Sequence, residues 1–154
     1  MNSTIKSNIF EESLQLIRRK YAAHLQGSLS PFVVVCSSRP LSEKAAAAIK
    51  ASFESFGYKE DWAAYVSVAS EEGNILSSED LFTIVEALDP KCVLVTDVSA
   101  AKVLSLGYKA SIKVNDVCDV LGLEVFVLED FGKALESSAD KQKAWAILKK
   151  MPRA

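Results

Sequence analysis

Histidine is almost absent from this chain of 154 residues, and that shortage narrows its chemistry most. The single imidazole, His24, removes every site built on paired histidines. Cysteine is scarce too. Cys36, Cys92 and Cys118 lie far apart, with no C-x-x-C pair, which suits buried thiols in a reducing compartment rather than a disulfide framework. Cys36 and Cys92 sit in apolar runs and read as core. No apolar stretch approaches the ~18 residues of a membrane span, and residues 1–10 hold no cleavable hydrophobic region. The expectation is a cytoplasmic chain without a membrane partner. A net charge of −2 argues against general electrostatic affinity for nucleic acid. One local exception is the basic run Lys141, Lys143, Lys149, Lys150 and Arg153, which reads first as a solvated face near a helix C-terminus.

What is present is a chain of one domain's length, 1–154, with 49% apolar residues arranged in short blocks. An N-terminal helix and linker are expected over 1–30, and an α/β core over 31–151. In residues 8–25, Phe10, Leu14, Ile17, Tyr21 and Leu25 fall on one helical face, with Asn8 as cap and Glu11 and Glu12 in the first turn. Residues 32–36, Phe-Val-Val-Val-Cys, are apolar throughout, as in a parallel strand buried on both faces. The loop Ser37-Ser38-Arg39-Pro40 leads to a helix over 42–56 that ends at Gly57. Further strands are expected over 63–68, 92–96 and 125–128, with a short one possible over 111–114. Helices are expected over 78–88, 98–106 and 138–151, with a helical turn over 115–121. Strand–helix alternation implies a three-layer α/β/α sandwich around a mainly parallel four-stranded sheet.

Three segments in order resemble the uracil-DNA glycosylase superfamily, especially its small iron–sulfur branch. They are Val33 to Pro40; Leu88-Asp89-Pro90-Lys91 with the apolar strand Cys92 to Thr96, Asp97 and the helix through Ala100 to Leu104; and Val125 to Met151, where Leu135, Lys141, Trp145 and Leu148 share the family's spacing. The resemblance covers roughly residues 32–151 and implies a strand order of 2-1-3-4. It departs at the reactive positions. Ser37 stands where the family's water-positioning acid would be, and Ser67 where its base-reading asparagine would be. Asp130, Phe131 and Gly132 replace a histidine-proline-serine loop, and the four cluster cysteines are missing.

Cleavage of a base–sugar bond in that superfamily passes through a cationic sugar and an anionic leaving base. An aspartate at 130 repels that anion, and Ser37 brings no negative charge to the water. The resemblance therefore implies a non-catalytic, glycosylase-like domain that works by binding, with a protein or nucleic-acid partner, no cofactor and no iron–sulfur cluster. The competing expectation is a nucleotide- or base-binding protein, or a divergent DNA glycosylase, using the strand-end loops.

Parallel sheets bind ligands beyond the carboxyl ends of their strands. The candidate pocket is accordingly Ser37, Ser38, Arg39, Ser67, Asp97, Asp130 and Phe131. The same groups in their ordinary role cap helices and close loops. A divalent cation between Asp97, Glu129 and Asp130 requires those strand ends to be neighbours. Trp145 is expected in the core by its helical spacing with Leu148, whereas Trp62 is left open between core and a base-stacking platform. A buried Phe131 filling the pocket would favour the adaptor; an open apolar slot would favour a ligand.

Overall fold

Strands without a polar face need cover on both sides, and the chain supplies it with helices on either face of one sheet. The computed structural model describes residues 13–154. The expected cap Asn8, together with Phe10, Glu11 and Glu12, lies outside the described residues. The elements are α1 (residues 13–20), β1 (Leu25–Gly27), β2 (Val33–Ser37), α2 (Glu43–Ser55) and a 3-10 turn (Glu60–Trp62). Then come β3 (Ala63–Ser67), α3 (Ser78–Leu88), β4 (Cys92–Val95) and α4 (Val98–Tyr108). The chain ends with β5 (Asp116–Val120), β6 (Leu123–Val127), the one-turn α5 (Phe131–Ala134) and α6 (Ser138–Leu148).

The strands lie in the order β1-β3-β2-β4-β6-β5. The inner four are mutually parallel, and β1 and β5 run antiparallel along the two edges. The sheet is therefore six-stranded and mixed, which corrects the expectation of four strands. Both additions fell in segments read as helical. Leu25 shares the apolar face of α1, but the chain leaves the helix after residue 20. Gly27, at φ +94°, then lays β1 against β3 so closely that a Cβ there would stand 2.6 Å from the Ala63 carbonyl oxygen.

Residues 115–121 were read as a helical turn. They form an edge strand because Leu121 and Gly122 both take positive φ, 52° and 82°. That is the two-residue hairpin turn whose twist matches paired strands. Val120 then pairs with Leu123. Residues 111–114, offered as a short strand, carry no strand pairing.

The two sheet faces bury separate cores. Val34, Cys36, Val66, Val93, Val95, Val125 and Val127 pack with α1, α3 and α4. Val33, Val35, Leu94, Phe126 and Leu128 pack with α2, α5 and α6. Burying each Val or Leu side chain is worth about 1.5–3 kcal/mol, so these faces supply most of the driving force. Oxygen side chains stop the helices from fraying. Ser42, Ser77, Asp97, Asp130 and Ser137 each accept a backbone N–H in the first turn of α2, α3, α4, α5 and α6. The C-terminal tail is pinned to α2's end: Ala154 N–H donates to the Phe56 carbonyl at 3.0 Å, and Tyr58 donates its hydroxyl to the Pro152 carbonyl.

Trp145 departs from expectation. It lies on the outer side of α6, 44% exposed. Trp62 is half-buried against Phe32 and Tyr58, with ring centroids 5.3 and 5.9 Å away, so its faces serve an aromatic cluster. Among the described residues no helix is long and apolar enough to cross a membrane.

Burial pushes the Cys36 and Cys92 thiols up to about 12, with Asp97 and Glu124 adding smaller repulsions. The native state thus holds both protons well above the ordinary pKa of 9.0. The unfolded chain releases them first, so stability falls as pH climbs from about 9 towards 12. Denaturant midpoints measured between pH 7 and 11 should drop over the upper part of that range. In the native protein a thiol reagent should modify the half-exposed Cys118 fast, and Cys36 and Cys92 only on unfolding.

Candidate functional site

The parallel strands end side by side, and the polar side chains expected at a site all fall in this region. Ser37 closes β2, nearly buried, and its hydroxyl donates to the Arg39 carbonyl at 2.6 Å. That bond holds the turn into Pro40 and leaves the Arg39 side chain exposed. Ser67 closes β3, also buried. Its N–H donates to the His24 carbonyl at 2.9 Å, and its own carbonyl meets His24 Nδ1 at 2.9 Å. A carbonyl only accepts, so Nδ1 carries the proton in that bond. His24 lies in the N-terminal segment, outside residues 32–151 that carry the family resemblance. The β1–β3 pairing, invisible in the sequence, brings it to the strand ends.

Asp97 is the junction. One carboxylate oxygen accepts the Ala100 N–H at 2.9 Å and so caps α4. The other accepts the Ser38 N–H at 2.9 Å and the Thr96 hydroxyl at 3.3 Å. Asp97 also forms an isolated antiparallel bridge with Asp130, flanked by Val98 N–H to the Glu129 carbonyl and Phe131 N–H to the Thr96 carbonyl. Asp130 points its own carboxylate at the Lys133 N–H, 3.1 Å away, as cap of α5. Phe131 is only 4% exposed and joins the core beneath α5.

The loops after β2, β4 and β6 are thus laced together, and the seven expected residues do not line one pocket. Ser37 and Ser67 line a groove of about 570 Å³ with His24, Tyr65, Lys50 and Glu72. Asp130 and Phe131 line a separate hollow of about 100 Å³ beside Asp140 and Lys143. Ser38, Arg39 and Asp97 line neither.

The chemistry open to these groups is limited. Ser37 spends its proton on a carbonyl, and His24 is oriented by a carbonyl rather than a carboxylate. A serine–histidine–acid relay therefore has neither its first nor its last link. Asp97 and Asp130 are strand-end neighbours, but their carboxylates face backbone N–H groups. Among the described residues no group of three acidic, histidine or cysteine side chains is placed to hold a metal. Ser37, Asp97 and Asp130 thus spend their side chains on nearby backbone groups.

No protein-family model matches this sequence, and comparison with curated proteins finds no relative.

Replacing Asp97 by alanine removes the α4 cap and leaves the half-buried Ser38 N–H without its acceptor. The combined cost should be about 2–3 kcal/mol by urea unfolding. Asn retains one acceptor oxygen, so Asp97→Asn should lose less than half of that. Equal losses for both variants would mean that charge, rather than hydrogen-bond geometry, holds the junction.

Proposed function

We propose that the chain is a non-catalytic binding domain, an adaptor on a uracil-DNA-glycosylase-like scaffold, with a protein or nucleic acid as partner. The observation that carries this reading is Phe131, which fills the core where the resembling family keeps a reactive loop. Two others support it. The inner strands run β3-β2-β4-β6, the 2-1-3-4 order that the resemblance implies. The Asp97 and Asp130 carboxylates are committed to backbone N–H groups, which draws both away from activating water.

A second reading, a nucleotide- or base-binding protein or a divergent glycosylase, draws on the groove that joins Ser37, Ser67 and His24. Its volume lies in the range of small-molecule sites. Its lining, however, includes the acids Glu71 and Glu72, which repel an anionic leaving base.

Incubation with a single-stranded oligonucleotide bearing deoxyuridine separates the adaptor from a divergent glycosylase. Uracil release should not rise above the protein-free control. Turnover that disappears in Ser67→Ala and His24→Ala would end the adaptor reading and move the function to the groove.

A further inference from the structure

Trp145 sits on α6 with one ring face stacked on Phe56, centroids 5.8 Å apart, and 44% of its surface open. Beside it a cleft of about 180 Å³ opens between α2 and α6. Ala48 of α2, Leu135, and Ala144 and Leu148 of α6 form its walls, and Phe131 closes one end. That space fits one large aliphatic or aromatic side chain. An exposed tryptophan beside an apolar slot is the arrangement typical of a binding hot spot.

Basic side chains flank the slot on both helices. Lys141 lines it, one helical turn before Trp145, and Lys149 follows one turn after. Lys44 lies one turn before Ala48 on the same flank of α2. The α2 residues Lys50 and Glu54 fall on the opposite flank, lining the groove beside β3. Asp140 lines the neighbouring hollow under Asp130 and is not among the residues that line the slot. Residues 138–154 hold five basic side chains and one acidic one. The ion pair found among the described residues joins Lys50 to Glu60, so Lys44, Lys141 and Lys149 have no anionic partner there.

We propose that this cleft docks an acidic amphipathic helix of a partner protein: an apolar anchor enters beside Trp145, and flanking carboxylates meet Lys44, Lys141 and Lys149. The inference rests on the adaptor reading and gives it a surface and a partner chemistry. A groove between two helices takes the i, i+3 and i+4 side chains of a third. The apolar walls select against nucleic acid. A base inserted there would leave its edge donors and acceptors unpaired, which a leucine or phenylalanine does not. The lysines give the association its rate and its preference of sign, and the apolar anchor gives it residence.

The test uses a Trp62→Phe protein, in which Trp145 is the one remaining indole. It is titrated with a helical peptide of roughly 16 residues carrying leucine at heptad a and d positions and glutamate elsewhere. A saturable blue shift of Trp145 emission is expected, weakening as salt is added. Lys141→Glu with Lys149→Glu should raise the midpoint about tenfold or more at unchanged far-UV circular dichroism. The same peptide with lysine for glutamate should give no shift. Three results would each overturn the proposal: no saturable shift with the acidic peptide, an equal response to the basic one, or a response to poly-dT alone. The uracil-release assay is independent of all three, so loss of the docking site and loss of the adaptor reading are separately visible.

Discussion

An apolar strand in the middle of a parallel sheet tolerates no polar side chain on either face, and that constraint organises this molecule. Val33 to Cys36, Cys92 to Val95 and Val125 to Val127 are all fully or almost fully buried. Each must therefore be roofed from both sides, which α1, α3 and α4 do on one face and α2, α5 and α6 on the other. Polar chemistry is pushed to where the strands stop. The carboxyl-end loops become the place where side-chain oxygens, exposed N–H groups and incoming helices compete for one another.

At these loops the competition has been decided in favour of structure. A helix N-terminus presents N–H groups that lack intrahelical partners, and a ligand anion or a local carboxylate can satisfy them equally well. Asp97 and Asp130 fill the ends of α4 and α5 from within the chain. Asp97 reaches further and also takes the Ser38 N–H, so the loop after β2 is fastened to the loop after β4. With the Asp97–Asp130 bridge added, three strand ends are fastened to one another. The Ser38, Ala100 and Lys133 N–H groups are satisfied from within the chain, and Phe131 occupies the interior beside them.

Much of this was legible in the residues, and the misses share a cause. The continuous apolar runs identified the four inner strands because no other local structure hides such a run. Ser42 and Ser77 start their helices through local side-chain chemistry, which needs no distant partner. Leu25–Gly27 and Asp116–Val120 were not legible, since an edge strand is set by its neighbour's free N–H and C=O groups rather than by its own pattern. Asp116 and Asp119 made β5 look polar enough for a turn. His24 followed the same logic: its place beside Ser67 comes from the β1–β3 pairing. Trp145 was misplaced because helical spacing with Leu148 does not say where the roof of the core ends.

That last point connects the closed strand ends to the open flank of α6. α5 is a single turn, so α6 begins almost at once. Ala144, Ile147 and Leu148 reach the core, and Trp145, one step round the helix, is left on the rim, stacked on Phe56. Phe131 belongs to both places. It plugs the interior beneath the Asp97–Asp130 loops and also closes the end of the slot beside Trp145. The side chain buried beside the strand ends thus also forms a wall of the apolar cleft. A polar residue at 131 would leave an unsatisfied group in the core and in the cleft wall alike, so one buried ring couples the packing of the two places.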